Sequence, residues 1–291
     1  MKKNEAVIGV DLGGTNIRSA LVSNGVIIDS TTRTVPKTDN PDEVVGVIAE
    51  SIRGVWSTGI TGIGIGVPSV VDVKKGIVYD VENIPCWKEV HLKDQLEDQL
   101  HKSVYINNDA NCFAAGERHF GSGMNYDDFV GLITGTGLGA GIIKDGRLLP
   151  DQNCGAGEFG IIPYLDHDCE YYCSGNFFSA EYDGNAKTMT ERAVKADPVA
   201  MKAFEAYGRH LGVTVKTIMA CLDPAAIIIG GGVSKAFDLY EAAMLREVAT
   251  FPYGKAAERI RIMPSKLDNV AILGAAALCF DAMAQPDSVP D

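Results

Sequence analysis

The stretch VIGVDLGGTNIRSALVSNGVIID, Val7 to Asp29, decides how this chain is read. Val7 to Val10 and Ile17 to Val22 are rich in strand formers, and Asn24-Gly25 is the strongest two-residue signal for a hairpin turn. Three antiparallel strands are predicted. The turn between the first two, Asp11-Leu12-Gly13-Gly14-Thr15, is longer and richer in glycine than a bare reversal requires. Its backbone N–H groups can converge on an anion, and the Asp11 carboxylate beside them attracts a hydrated cation.

Working outward, FVGLITGTGLGAGIIKDGRLLP, Phe129 to Pro150, repeats this opening in order: a strand, the turn Thr134-Gly135-Thr136-Gly137, a strand, the turn Asp145-Gly146 and a further strand. Repetition of so unusual an element implies two similar lobes with a cleft between them. Between the repeats, NPDEVVGVIAESIRGVW reads as a helix with Asn40 as its cap and Pro41 at its first position. ITGIGIGVP (60–68) reads as a buried strand, HLKDQLEDQLHK (91–102) as an amphipathic helix, and VYINN (104–108) as a strand running into the helix ANCFAAGERHF. Beyond the second repeat come long helical patterns over 186–222, then AAIIIGGGVSKAF, a buried strand ending in Gly230-Gly231-Gly232. The closing helix NVAILGAAALCFDAMA is expected to pack back on the first lobe, and the tail QPDSVPD to be loose. The expected domains are 1–120, joined by the closing helix within 271–291, and 121–270.

Composition narrows the function. A chain of 291 residues has room for two cores, and its formal net charge of −12 disfavours nucleic acid, whose binding rests on basic patches. No uninterrupted apolar run approaches the ~18 residues of a membrane span, and MKKNEAVIGV lacks the apolar core of a signal peptide. A cytoplasmic protein is expected. Seven scattered cysteines suit reduced thiols better than a disulfide framework. GTGLGA formally matches a dinucleotide fingerprint, but it leads into a strand rather than opening a helix, which disfavours an oxidoreductase.

Asp11-Leu12-Gly13-Gly14-Thr15, Thr134-Gly135-Thr136-Gly137, Asn107-Asn108-Asp109-Ala110-Asn111, Gly157-Glu158-Phe159-Gly160 and Gly230-Gly231-Gly232, in this order, resemble the motifs of the ROK (repressor, ORF, kinase) sugar kinases, and within them the glucokinases. The resemblance covers nearly the whole chain. It implies an α/β fold of duplicated ribonuclease-H-like lobes, as in the actin/hexokinase superfamily. The implied activity is transfer of the ATP γ-phosphate to a hexose hydroxyl, the 6-hydroxyl of glucose in the leading reading. N-acetylglucosamine, N-acetylmannosamine, mannose and fructose remain open as alternatives. A sugar-responsive repressor is a remote alternative, since only about six residues precede the first strand and a helix-turn-helix does not fit there. Homodimers and tetramers are common among the resembled enzymes, and a homodimer is expected.

Phosphoryl transfer needs donors around the phosphates, a metal ion and a base for the attacking hydroxyl. The chain has no G-x-x-x-x-G-K-[ST] sequence, so the two glycine turns would take its place. Gly13, Gly14, Thr15 and Asn16 in one and Thr134, Gly135, Thr136 and Gly137 in the other are assigned to phosphate, with Asp11 near Mg²⁺ through water. Gly230, Gly231 and Gly232 would let backbone approach the adenosine. Asp109, where a strand meets a helix, can serve either as a helix-terminal carboxylate or as the base; the resemblance implies the base, with Asn108 holding a neighbouring hydroxyl. Glu158, Glu181 and Asn83 match sugar-binding positions of the family, and Gly66 and Ser69 are expected to shape the loop on the sugar side.

One region departs from the family. ROK kinases carry G-E-x-G-H followed by a C-x-C-x4-C zinc cluster, whereas here the four positions hold Ile161, Tyr172, Ser174 and Ser179. No zinc is expected. A shifted site from His167, Cys169 and Cys173 stays open. Without it, Tyr171, Tyr172, Phe177 and Phe178 are expected to supply the packing that holds Glu158 and Glu181.

Overall fold

The computed structural model describes residues 6–283; the tail QPDSVPD lies outside the described residues. The described chain divides into two units, residues 6–124, 147–156 and 267–283 in one and residues 125–146 and 157–266 in the other.

The first unit opens with β1 (Ala6–Leu12), β2 (Asn16–Ser23) and β3 (Val26–Thr34), paired antiparallel in succession. Asn24 and Gly25 turn the second hairpin with φ of 50° and 75°, both left-handed, as a two-residue turn matched to strand twist demands. Helix α1 (Pro41–Gly54) follows, its Asn40 side chain accepting from the Asp42 N–H. Then come β4 (Ile60–Val67), the short strands β5 (Val70–Asp72), β6 (Ile77–Tyr79) and β7 (Glu89–Val90), α2 (Leu92–Leu100), β8 (Val104–Asn108) and α3 (Asp109–Phe120). The main sheet runs β3-β2-β1-β4-β8, with β4 parallel to both β1 and β8. On one face Ile8, Val10, Ile63 and Ile65 form a core with Val44, Ile48 and Ile52 of α1.

The second unit repeats the plan. Strands β9 (Phe129–Thr134) and β10 (Leu138–Lys144) pair antiparallel, and the turn Asp145-Gly146 has φ of 51° and 75°, matching its counterpart in the first repeat. The chain then passes through β11 (Arg147–Leu148), grouped with the first unit, before β12 (Pro163–Tyr164), β13 (His167–Asp168), α4 (Cys169–Cys173) and α5 (Asn176–Glu181). Helices α6 (Ala186–Val194) and α7 (Pro198–Leu222) lead to β14 (Ala226–Gly230), α8 (Phe237–Val248), α9 (Gly254–Arg259) and β15 (Arg261–Pro264). Within the unit the strand order is β10-β9-β14-β15, β14 lying parallel to both neighbours. Its core joins Leu132 and Ile229 of the sheet to Phe178, Phe204, Tyr207 and Tyr240.

The closing helix α10 (Val270–Met283) belongs to the first unit and covers the other face of its sheet. The approach is close because glycines line it: a Cβ on Gly64 would sit 1.8 Å from the Ala275 carbonyl oxygen, and one on Gly9 would sit 2.4 Å from that of Ile272. On α3, a Cβ on Gly116 would meet Gly274 Cα at 3.0 Å.

Candidate functional site

In the first unit the parallel pairing sets Asp11 of β1 beside Gly66 of β4, and Gly66 beside Asn107 of β8. With strands about 4.8 Å apart, this row places the Asp11 and Asn107 backbones about 10 Å apart at the carboxyl ends of the sheet, where ligands of open α/β sheets bind. Asp109 starts α3 just beyond. The cap itself is Asn108, whose side-chain oxygen accepts from the Asn111 N–H at 2.7 Å, and Asn107 braces it by accepting from the Asn108 N–H at 2.9 Å and the Asn111 amide at 2.8 Å. The Asp109 carboxylate is therefore not needed as the cap. One of its oxygens accepts from the Ala110 N–H at 2.8 Å, and the residue is solvent-exposed.

Crowding by protein nevertheless desolvates that carboxylate and raises its pKa; the Ala110 N–H opposes the shift, and the negative charge of Asp11 adds to it. An accessible carboxylate with a raised pKa is what a proton acceptor needs. Asp11 is itself paired with Arg18, 3.0 Å from Nε and 2.5 Å from Nη2. Arg18 escaped the sequence reading, yet β1/β2 register puts it directly across from Asp11.

The first glycine turn is closed by the Gly13 N–H donating to the Asn16 carbonyl at 2.9 Å, with Thr15 and Asn16 exposed. Gly14 brings a second motif to the turn: a Cβ there would fall 2.4 Å from the Asn83 Cβ, so the asparagine packs against the turn only because Gly14 has no side chain. Gly66 lies inside β4, and its missing side chain leaves room for Cys112 of α3, whose Sγ would be 3.1 Å from a Cβ there. The Ser69 hydroxyl donates to the Tyr79 carbonyl, which fastens the start of β5 to the end of β6.

In the second unit the two other glycine motifs meet. Gly230 ends β14 beside Ile133 of β9, and the fully buried Thr134 hydroxyl donates to the Gly230 carbonyl at 3.1 Å. Thr134 thus ties the turn to the glycine run instead of presenting its hydroxyl outward. Gly231 has φ of 90° and would place a Cβ 2.4 Å from the Thr134 carbonyl oxygen, so only glycine fits. Gly232 has nothing within 4 Å of a Cβ. In the turn itself the Gly135 N–H donates to the Gly137 carbonyl at 3.0 Å, and Thr136 is exposed.

Glu158 and Glu181 are both exposed. Glu158 follows Gly157, which crosses over β10 with φ of 86° and would put a Cβ 2.1 Å from the Ala140 carbonyl oxygen. Glu181 ends α5 and accepts from the Tyr171 hydroxyl at 2.7 Å. Phe177 and Phe178 on that helix and Tyr172 on α4 turn their rings into the core of the unit. The shifted metal site does not assemble: His167 stacks on Tyr171 at 3.8 Å between ring centres, while Cys169 and Cys173 are buried and the Cys173 Sγ lies 3.3 Å from the Thr214 hydroxyl. Among the described residues no group of three or more His, Cys, Asp or Glu side chains is arranged to hold a metal ion.

Two units built on one strand-turn-strand plan, each carrying a glycine turn, define a duplicated α/β fold. The sequence profile of the ROK family matches residues 7–282, and the chain belongs to that family. It is 30% identical to a glucokinase of Thermotoga maritima over 306 aligned positions, which span 94% of this chain and 96% of the relative. It is 31% identical to an N-acetyl-D-glucosamine kinase of Vibrio parahaemolyticus, spanning 80% of this chain and 86% of that one. A ROK family glucokinase from Streptomyces griseus, solved in complex with glucose and AMPPNP, superposes with a TM-score of 0.77 at 28% identity, over 94% of this chain and 98% of that one.

Proposed function

We propose that this protein is an ATP-dependent hexose kinase that phosphorylates the 6-hydroxyl of glucose. The observation that carries the mechanism is Asp109: exposed, released from capping by Asn108, and raised in pKa by desolvation and by Asp11. Its carboxylate takes the hydroxyl proton as the sugar oxygen bonds to the γ-phosphorus and the bond to the ADP oxygen breaks. Asn83, Asn108, Glu158 and Glu181 are the side chains we assign to ring hydroxyls. The turns at 13–16 and 134–137 offer backbone N–H groups and the Thr15 and Thr136 hydroxyls to phosphate oxygens, and the run 230–232 gives backbone access to the adenosine.

Two mutually repelling carboxylates with hard oxygen donors suit Mg²⁺, which is usually bound through one or two carboxylates together with substrate phosphates. Asp11, already engaged by Arg18, would hold it through water. The ion would supply charge neutralisation on the phosphates. The relatedness to N-acetylglucosamine kinases favours N-acetylhexosamines as the second reading. We further place the enzyme in the cytoplasm as a homodimer. A panel of glucose, mannose, fructose, N-acetylglucosamine and N-acetylmannosamine at fixed ATP, followed by coupled ADP release, tests the assignment. Glucose should give the highest kcat/KM, and preference for an N-acetylated sugar would overturn it in favour of the second reading.

A further inference from the structure

The short segment from Asp168 to Glu181 touches two functional motifs of the second unit. At one end Glu170 reaches the second glycine turn, its Oε2 accepting from the Leu138 N–H at 2.9 Å, in the space that a side chain at Gly137 would fill. The same turn is held twice more from the α4–α5 junction. The Gly175 N–H donates to the Gly135 carbonyl at 2.6 Å, and the Asn176 amide donates to the Thr136 carbonyl at 2.9 Å. Three hydrogen bonds thus fix the Gly135 and Thr136 carbonyls and the trailing N–H of Leu138.

The next residue along, Tyr171, faces the other motif. Its hydroxyl donates to Glu181 Oε1 at 2.7 Å. The ring has little freedom to point anywhere else. His167 stacks on one face at 3.8 Å with planes 14° apart, and Tyr172 meets it edge-on at 4.8 Å and 72°. The Asp168 side chain caps α4 by accepting from the Tyr171 N–H at 2.8 Å, which fixes the backbone that carries the ring. Helix α4 is in turn anchored to α7, where the buried Tyr207 hydroxyl donates to the Cys173 carbonyl at 2.9 Å, and β12 is tied to the same helix by the Tyr164 hydroxyl, 3.1 Å from His210 Nδ1. The hydrogen bond to Glu181 raises the Tyr171 pKa, so the phenol keeps its proton and donates it to the glutamate oxygen.

We propose that Glu170 and Tyr171 are positioning residues at the two ends of one clamp, Glu170 setting the phosphate turn at Gly137-Leu138 and Tyr171 orienting the Glu181 carboxylate for the sugar. The clamp is built from hydrogen bonds and ring packing. It rests on the reading of the 134–137 turn as a phosphate site and of Glu181 as a sugar ligand. Adjacent residues divided between two motifs make a specific prediction, because each substitution should be felt by one substrate only.

Tyr171→Phe deletes one oxygen and keeps the stack on His167; it should raise the sugar KM about tenfold or more, the range for losing a hydrogen bond to a charged group, with the KM for ATP unchanged. Glu170→Ala should do the reverse, raising the KM for ATP about tenfold, and Glu170→Gln, whose amide oxygen can still accept from Leu138, should recover most of the loss. Thermal melts of all three should stay close to the parent, which separates positioning from collapse. If each variant raises both KM values together, or neither, the clamp is overturned. Glu181→Ala and Gly137→Val serve as the reference pair: should these leave sugar and ATP binding untouched, the reading of the motifs fails. Should they act as expected while Tyr171→Phe and Glu170→Ala do not, only the clamp fails.

Discussion

Asp109 carries two opposed influences. Its place in the first turn of α3 and the Ala110 N–H favour its charged form, while desolvation and the neighbouring Asp11 disfavour it, and the second pair prevails. Asp109→Asn should leave the fold and sugar affinity intact and lower kcat by about 10²–10⁴, the usual cost of losing a general base. Full activity in a folded variant would remove Asp109 from that role. The raised pKa also predicts a pH profile. The base works only when deprotonated, so kcat/KM should fall on the acid side at a higher pH than an ordinary aspartate would give. Asp11→Asn removes one of the raising causes; besides lowering activity, it should shift the acid limb to lower pH. A limb that stays in place would mean that Asp109 does not feel the Asp11 charge.

The glycine motifs act at the level of the element, and the structure separates their duties. Gly13 has its nearest neighbour, the Asn16 carbonyl oxygen, 3.4 Å from a Cβ, so a Cβ is accommodated there at ordinary contact distance. Gly13→Val should therefore fold normally and raise the KM for ATP while leaving that for sugar unchanged, because the new methyls stand where phosphate must approach backbone. Equal effects on both substrates would mean that this turn does not hold ATP. Gly231→Ala is a different case: with φ of 90° and the Thr134 backbone 2.4 Å away, it should cost at least about 1–3 kcal/mol of stability, seen as a lowered Tm. An unchanged Tm would show that β14 and the β9 turn can separate freely.

At the scale of the whole molecule, the duplicated strand-turn-strand plan was legible because Asn24-Gly25 and Asp145-Gly146 admit few conformations, and both adopt the same left-handed pair. Helix α1 was legible through its cap and its apolar period. Strands β5 to β7, two or three residues each, and helix α4, five residues, are too short for any period to show. That brevity hid Glu170. Arg18 was within reach, since counting across the first turn pairs it with Asp11. The grouping of 147–156 with the first unit had no marker in composition. The replaced zinc positions give a prediction for the protein as purified. Ser174 is fully buried, Tyr172 is packed among rings, and Ile161 is exposed at 72%, so none offers a metal donor set. Elemental analysis of tag-free protein should find no stoichiometric zinc, and chelation followed by restored Mg²⁺ should leave activity intact; one zinc per chain would overturn this.

The glycine-lined seat of α10 bears on how the chain is made. The carbonyls of Ile272 and Ala275 rest almost on the backbone of Gly9 and Gly64, in strands that leave the ribosome more than two hundred residues earlier. Until α10 emerges, Gly9 and Gly64 lack the helix that covers them, and glycine offers no side chain to shield the backbone from water. The segments of the second unit, 125–146 and 157–266, are all translated before α10. The part of the protein that is synthesised first is thus the last to be completed, and a chain released prematurely near residue 266 would hold Asp109 on an unfinished support.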